Sequence, residues 1–143
     1  MYLEDIEIKD ARLFFTNFSG RERQYNPKGN RNFCVEIPED LVPRLREEGW
    51  NIKHYENEER GVTYDYIQVT VRYNNIPPII IMTCDDGDNK IRMTESMVGF
   101  LDEIDVSRFD VKIHPRKWER GVKAYLKRMK VVVPSEEFEY CVD

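Results

Sequence analysis

The feature that most constrains this chain is a regular alternation of apolar and polar residues. In the segment 63–73, Ile67, Val69 and Val71 occupy every second position, and tyrosine or polar residues stand between them. Successive side chains of a β-strand point to opposite faces of a sheet, so this period of two predicts a strand with one buried face. The same period recurs at 6–8, 33–37, 109–113 and 122–133. A chain with this pattern is mainly β.

The first strand changes its apolar face partway along. Ile6 and Ile8 alternate with charged residues, whereas farther on Leu13 and Phe15 carry the apolar pattern. A slip of one residue turns a strand over, so the change predicts one long strand with a β-bulge at 10–11.

Two short helices are predicted between the strands. Residues 38–48 have acidic side chains in the first turn, apolar ones at helical spacing and Gly49 as a stop. Residues 94–104 resemble a second helix, with Thr94 as its N-cap. A buried strand at 79–84 and a turn at 85–89 lie between the two helices.

This order of elements predicts a five-stranded Greek-key barrel of the OB type, with inserted short helices and extra strands. An SH3-like barrel or a small sandwich fits the number of strands nearly as well. In either case the interior is predicted to hold the apolar side chains Ile67, Val69, Val71, Val111, Ile113 and Leu126.

Basic residues are concentrated in two segments, although the net charge of the chain is −5. Segment 9–31 holds six basic and two acidic residues, and segment 112–130 holds eight basic residues and one acidic residue. The first and last strands of small barrels often lie close together, so we expect the two segments to form one basic face. The alternative is two solvated strands of mixed charge.

Aromatic residues are interleaved with cations on the predicted outer faces of the strands. Cations that follow phosphates and flat rings that stack on unpaired bases are the two ingredients of single-stranded nucleic-acid binding. The basic segment 114–121, predicted as a loop between the last two strands, adds Trp118. Core packing and cross-strand pairing remain the alternative for each tyrosine. The candidate DNA-binding residues are Arg12, Arg21, Arg23, Tyr25, Lys28, Arg31, Tyr64, Tyr66, Arg72, Arg116, Lys117, Trp118, Arg120, Lys123, Tyr125 and Lys127.

The chain is predicted to form one barrel domain, 1–133, followed by an acidic tail, 134–143. No repeat or Gly/Ser linker divides the chain, and its length suits a single core. The tail alternates acidic and aromatic residues, and two interpretations stay open. It is either a disordered, solubilising end, or a mobile segment that competes with nucleic acid for the basic groove or recruits replication and recombination proteins.

The sequence gives little support for a catalytic site or a metal site. His54 and His114 lie far apart, and neither belongs to a metal-spaced cluster. The acidic turn at 85–89 resembles a calcium loop beginning at Asp86, but Met97 stands where the twelfth-position glutamate would be. We therefore expect no enzyme activity, no metal and no cofactor.

Cysteine spacing and hydropathy indicate a reducing, cytoplasmic location. Cys34, Cys84 and Cys141 are an odd number without short spacing, which argues against a disulfide framework. No apolar run reaches the ~20 residues of a membrane helix, and the acidic start does not fit a signal peptide. We expect no association with membranes.

Several stretches of the chain are distinctive when taken together. They are Asn17-Phe18-Ser19-Gly20-Arg21-Glu22 with Tyr25-Asn26, Arg31-Asn32-Phe33-Cys34-Val35, Gly49-Trp50-Asn51-Ile52-Lys53, Asn75-Ile76-Pro77-Pro78, Val98-Gly99-Phe100-Leu101-Asp102, Ile113-His114-Pro115 with Trp118, and Gly121-Val122-Lys123-Ala124-Tyr125-Leu126-Lys127. Through these stretches the chain resembles, over 6–133, a family of phage- and prophage-encoded single-stranded DNA-binding proteins.

The resemblance implies an OB-type fold without a cofactor that binds single-stranded DNA independently of sequence. It also implies a role in protecting that DNA during phage replication and recombination, in the cytoplasm of a bacterial host. Self-association stays open. Two other classes remain as alternatives: a phage-encoded interaction module or inhibitor whose acidic surface mimics nucleic acid, and a small nuclease or nucleic-acid-modifying enzyme. A basic patch would argue against the first, and a buried carboxylate cluster within that patch would support the second.

Overall fold

The structure of the protein is a computed structural model, and it describes residues 3–85, 87 and 89–142. Within it nine strands belong to one mixed sheet: β1 (Ile6–Ile8), β2 (Leu13–Asn17), β3 (Arg31–Glu36), β4 (Lys53–Asn57), β5 (Val62–Val71), β6 (Ile79–Cys84), β7 (Lys90–Arg92), β8 (Arg108–Trp118) and β9 (Gly121–Val133). The helical elements described are α1 (Val42–Glu48), α2 (Ser135–Val142) and two 3-10 helices, Glu39–Leu41 and Val98–Asp102. The prediction of a mainly β fold with inserted short helices and extra strands is confirmed.

The sheet follows the order β1-β8-β9-β5-β3-β2, and β4, β6 and β7 branch from it. Paired strands are antiparallel, except that β9 runs parallel to β5 and to β6. The two ends of the path, β1 and β2, follow each other in the chain with residues 9–12 between them. The sheet therefore curves back toward its first strand around an apolar core.

The predicted interior is confirmed by the burial of its side chains. The alternation in β5 and β9 turns one face of each strand inward, as expected for half-buried strands. Each of the six side chains is at most 4% exposed: Ile67, Val69, Val71, Val111, Ile113 and Leu126.

The predicted first strand is interrupted where the sequence placed its bulge. Asp10 adopts a positive φ of 50°, and the Ala11 N–H donates to the Phe109 carbonyl at 2.7 Å. A second irregularity, which the sequence pattern did not predict, falls in β2 between Phe14 and Asn17.

The expectation that Phe15 faces the core is wrong. Its side chain is 70% exposed and its φ is 48°, an uncommon conformation for a bulky residue. The reason is the bulge in β2, which ends the alternation of faces and turns this ring outward.

The first predicted helix is confirmed and the second is corrected. Residues 38–48 form a 3-10 turn followed by α1, and Gly49 ends α1 with a φ of 90°. The predicted helix at 94–104 is instead a turn followed by the 3-10 helix Val98–Asp102, and Thr94 does not cap it. Gly99 has a low helix propensity and packs close to Ser19. A segment this short therefore gains little from an α-helical conformation.

The basic segment 114–121 is a hairpin and not a loop. β8 continues to Trp118 in register with β9, and the turn consists of Glu119 and Arg120. Pro115 suggested a break, but it lies beyond the residues of β8 that pair with β1. A proline is tolerated on such an edge because its missing N–H leaves no partner unpaired.

The prediction of a mobile tail is wrong for residues 135–142. This segment forms α2, and its side chains Phe138 and Cys141 are buried in the same core as the sheet. The Cys84 thiol lies 3.4 Å from the Ser135 hydroxyl, and the ring of Tyr140 packs edge-on against Phe100. Asp143, the last residue of the predicted tail, and Asp86 and Asp88 of the predicted turn at 85–89 lie outside the described residues.

Candidate nucleic-acid interface

A groove of about 1040 Å³ opens where β5, β9 and the start of β3 meet the β8–β9 hairpin and the residues that follow α1. We call it the groove. It brings together six of the residues predicted from the sequence, which come from both basic segments and from the central strand: Arg31, Arg72, Trp118, Arg120, Lys123 and Tyr125.

The floor of the groove follows from the alternation in β5. Since Ile67 faces the core, Gln68, Thr70 and Arg72 must face outward. Thr70 pairs with Tyr125 of the parallel strand β9, so the tyrosine lies on the same face as the polar row. The floor is therefore hydrophilic, with aromatic side chains beside it.

The hairpin provides the aromatic wall of the groove. The Trp118 side chain is 41% exposed, and the Lys123 ammonium lies 4.5 Å from its ring centroid. The Arg120 guanidinium lies 5.8 Å from the same centroid. This arrangement presents a flat ring to solvent with two cations held beside it.

A close approach of two glycines fixes the hairpin against the chain that follows α1. The Val122 N–H donates to the Gly49 carbonyl at 3.0 Å. A Cβ atom at Gly121, where φ is 139°, would lie 2.8 Å from that same oxygen, so a larger residue cannot enter without moving the backbone.

An ion pair lies on the opposite wall of the groove. Arg31 bonds Glu95 at 3.1 Å, and its guanidinium lies 5.5 Å from the ring centroid of Tyr73. The Nε of Arg31 and the hydroxyl of Tyr73 are buried, and neither has a hydrogen-bond partner among the residues that the structure describes. Burial raises the pKa of the Tyr73 phenol, so this hydroxyl stays protonated and keeps a hydrogen to donate.

The 18–30 loop stands at the end of the groove that Gly29 and Asn30 line. It is held at its base, because the Asp102 carboxylate accepts the N–H groups of Phe18 and Ser19 at 2.9 Å each. The buried amide of Asn17 accepts from the Arg21 N–H at 2.9 Å and donates to the Arg21 carbonyl at 3.0 Å.

The side chain of Asn26 ties the same loop together farther along. It donates to the carbonyls of Arg21 and Asn30, and it accepts from Asn32 at 2.8 Å. This network orders the backbone and leaves the four predicted loop residues exposed: Arg21, Arg23, Tyr25 and Lys28. Tyr25 is 91% exposed.

Three predicted cations of the hairpin strands do not line the groove. Arg116 pairs with Lys123 and shares its face, whereas Lys117 points to the other side of β8. Lys127 donates to Asp5 at 2.8 Å, and the Nδ1–H of His114 donates to the same carboxylate at 2.7 Å. Burial disfavours ionisation of Asp5, but these hydrogen bonds outweigh it and lower the pKa of its carboxyl.

Tyr64 and Tyr66 lie outside the groove, in a group of rings on the outer face of β2, β4 and β5. We call this group the aromatic surface, and it consists of Phe14, Phe15, Tyr55, Tyr64 and Tyr66. Neighbouring centroids are 5.0 to 6.1 Å apart, and Arg12, the remaining predicted residue, stacks 4.9 Å above Tyr64.

Sequence reasoning missed several residues of the interface. Gln68 and Thr70 share the outward parity of Arg72, so the alternation of β5 held a signal for them. Tyr73 and Glu95 carried no such signal in the sequence, because Glu95 contacts Arg31 from 64 positions away.

Metal and membrane sites are absent from the residues that can be described. In the ranges 3–85, 87 and 89–142, no three His, Cys, Asp or Glu side chains are placed to hold a metal ion. Over the same ranges, no helix has the length and apolarity needed to cross a membrane.

Comparisons with known proteins bear on the fold and on the family of the chain. The fold is similar to a solved structure described as the single-stranded DNA-binding protein from bacteriophage Enc34, C-terminal truncation, with a TM-score of 0.53 and 10% sequence identity over 92% of this chain and 86% of that one. At this identity the likeness concerns the fold alone. No curated protein matches the sequence. Residues 1–141 match a family described as "Putative phage ssDNA-binding domain". Because this match spans nearly the whole chain, the protein belongs to that family of phage single-stranded DNA-binding domains.

Proposed function

We propose that the groove binds single-stranded DNA without sequence preference. The observation that carries the proposal is the exposed Trp118 ring with Lys123 and Arg120 beside it. An unpaired base can stack on this ring whatever its identity, because every base has a π-face. The neighbouring cations can hold the phosphates on either side of that base.

The rest of the groove supports the same path for the strand. Tyr125 supplies a second ring, and the floor supplies hydrogen-bonding groups and Arg72. The 18–30 loop carries Arg21, Arg23 and Lys28 at one end, where they can contact further phosphates. Because its backbone is already held by Asn17 and Asn26, the loop loses little conformational entropy on binding.

The strand order supports an OB-type barrel as the fold. The run from β1 to β2 pairs with β8 through its first half and with β3 through its second, and β5 runs parallel to β9. These are the pairings of a five-stranded Greek-key barrel, to which β4, β6 and β7 are additions. In OB folds the sheet face and two loops bind oligonucleotides, and here the corresponding loops are the 18–30 loop and the hairpin.

In the cell, the proposed role is protection of single-stranded DNA during phage replication and recombination. This role involves no catalysis and belongs in the cytoplasm of a bacterial host. Residues 1–133 would bind DNA, and the acidic C-terminal segment, with Glu136 and Glu139 exposed on α2, offers a surface for replication and recombination proteins.

Two observations disfavour the other classes of function. The groove collects four cations, Arg31, Arg72, Arg120 and Lys123, which is opposite in charge to a surface that mimics nucleic acid. The described lining includes one carboxylate, Glu95, which is ion-paired and half exposed, whereas a nuclease would need a buried carboxylate cluster there.

The proposal is tested by titrating labelled oligo-dT with the protein and following fluorescence anisotropy. Trp118→Ala should weaken binding by ~1–3 kcal/mol, the usual loss when one stacked base loses its ring. Tyr140→Ala is the matched control, since this tyrosine is 58% exposed but lies on α2. Equal affinities for Trp118→Ala and the parent protein, with both folded, would contradict the proposal.

The salt dependence of the same titration tests the cations. For a single strand, log K falls against log[salt] by ~0.7 for each phosphate contacted. Arg72→Ala and Lys123→Ala should each reduce the slope by about that amount, and Lys90→Ala on β7 should not. An affinity that does not change with salt would exclude the groove as a phosphate-binding surface.

A further inference from the structure

We propose that the aromatic surface is a second contact site for the same DNA strand, so that the bound strand extends from the groove across β5 toward β2. This inference rests on the proposed function and adds the direction and length of the path. It assigns a role to Phe14, Phe15 and Tyr55, which the sequence pattern did not identify.

The bulge in β2 presents two neighbouring rings on one side of the sheet. In a regular strand Phe14 and Phe15 would point to opposite faces, but here their centroids are 5.1 Å apart. Phe15 holds a positive φ of 48° while 70% of its side chain is exposed. Such strain without burial is typical of positions kept for contact with another molecule.

The aromatic surface is continuous with the groove along β5. Tyr64 and Tyr66 lie on the same outward row as Gln68, which lines the groove. Gln68 and Tyr64 are four positions apart, which corresponds to roughly 13 Å at the usual rise of a strand. A strand of DNA that leaves the groove along this row therefore reaches the rings directly.

The charges on this face suit a phosphate backbone. Arg12 lies over Tyr64, and Lys53 is paired in register with Tyr66, so both cations share the outer face with the rings. Alternation sends Asp65 to the other face, where it bonds His54 at 2.9 Å. Glu36 is the acidic residue described on the outer face, and it lies 3.9 Å from Arg12.

This combination favours DNA over a protein partner. Phe14, Tyr64 and Tyr66 are half-buried, Phe15 and Tyr55 are exposed, and the cations of this face lie at Tyr64 and Tyr66. Rings with neighbouring cations serve unstacked bases and phosphates together. A face that binds a second copy of the chain by hydrophobic contact would instead be depleted of charge at its centre.

The test compares two lengths of oligo-dT, about 6 and about 16 nucleotides, which bracket the usual range of site sizes for one OB fold. In the double variant Phe15→Asn with Tyr55→Thr, the Kd for the long oligonucleotide should rise about 10-fold or more. The Kd for the short one, which fits within the groove, should not change. Trp118→Ala should weaken both, and Tyr140→Ala neither.

The two proposals fail in different ways. If the double variant binds both lengths like the parent protein, the aromatic surface does not contact DNA, whatever Trp118→Ala does. If Trp118→Ala has no effect on either length, the groove assignment fails. If sedimentation shows that the double variant loses self-association while its DNA affinity is unchanged, the surface binds a second copy and the inference is wrong. Phe15→Asn alone preserves the test should the double variant not fold, because asparagine tolerates a positive φ.

Discussion

At the scale of single residues, the proposed function gives a specific role to Arg31. Its guanidinium is held between Glu95 and the ring of Tyr73, yet its Nε and the Tyr73 hydroxyl have no hydrogen-bond partner within the described part of the chain. Buried polar groups without a partner are costly, so a ligand that satisfies them gains affinity. A DNA phosphate offers acceptor oxygens for both groups, and Glu95 then competes with it for the arginine.

We therefore predict that Glu95→Gln tightens the binding of oligo-dT. The variant removes a negative charge that lies in the groove and releases Arg31, and exposed ion pairs of this kind are worth about 0.2–1 kcal/mol. The expected gain is about 1.5- to 5-fold in Kd, largest at low salt. Glu47→Gln on the exposed side of α1 serves as the control. Weaker binding by Glu95→Gln would show that the carboxylate positions Arg31 for DNA.

At the scale of elements, α2 differs most from what the sequence suggested. Its acidic residues drew attention to its charge, but Phe138 and Cys141 are three positions apart and therefore share one face of a helix. That face is buried in the core, and Tyr140 contacts Phe100 of the 3-10 helix whose Asp102 holds the base of the 18–30 loop. α2 is thus a structural part of the domain.

Phe138→Ala should destabilise the fold by about 3–5 kcal/mol, as expected for deleting a buried ring. Glu139→Ala, which changes an exposed residue of the same helix, should have little effect. Chemical denaturation monitored by circular dichroism measures both. A variant lacking 134–143 that keeps its stability and binds DNA more tightly would instead identify the segment as a mobile competitor.

How far the elements could be predicted depended on whether their signal was local. Strands with one apolar face, such as β5 and β9, were readable from their alternation. β4 has no apolar face, since its side chains are exposed at nearly every position. It is a strand because it pairs with β5. The basic segment 114–121 resembles a loop in its local sequence, whereas the register with β9 makes it a hairpin.

The residues of the candidate site were likewise predictable only where their signal was local. Arg72, Lys123 and Tyr125 were predicted from strand parity, and the structure places all three in the groove. Lys117 was chosen for its neighbours in sequence and lies on the wrong side of β8. Lys127 had the right parity, but Asp5, 122 positions away, binds it. Contacts at such separations leave no local trace in a sequence.

At the scale of the whole molecule, Asp5 ties the N-terminal segment to the closing hairpin. Its lowered pKa means that the folded state favours the carboxylate more than the unfolded chain does. The resulting stabilisation is present above about pH 4, the ordinary range of an aspartate, and is lost as the pH falls through the lowered pKa. The half-buried Asp110 carboxyl acts in the same direction, since its partial burial raises its pKa but hydrogen bonds from the Asp10 N–H and Arg108 lower it by more.

Asp5→Asn should therefore lower the Tm at pH 7, and the difference from the parent protein should shrink as the pH falls below about 4. Thermal melts of the variant and the parent protein at a series of pH values measure this difference. Asp40→Asn, an exposed position before α1, is the control. A Tm difference that persists undiminished at pH 3 would mean that the carboxylate's charge is not what stabilises the fold.

The whole molecule carries a net charge of −5, yet its groove is basic, and the central claim is that DNA lies there. Ultraviolet cross-linking of oligo-dT to the unmodified protein, followed by mass spectrometry of its peptides, tests this claim without any substitution. We predict that the thymines attach to Trp118 and Tyr125 in the groove, and that added salt reduces their yield. Cross-links confined to other parts of the chain, such as α2 or β7, would contradict the account.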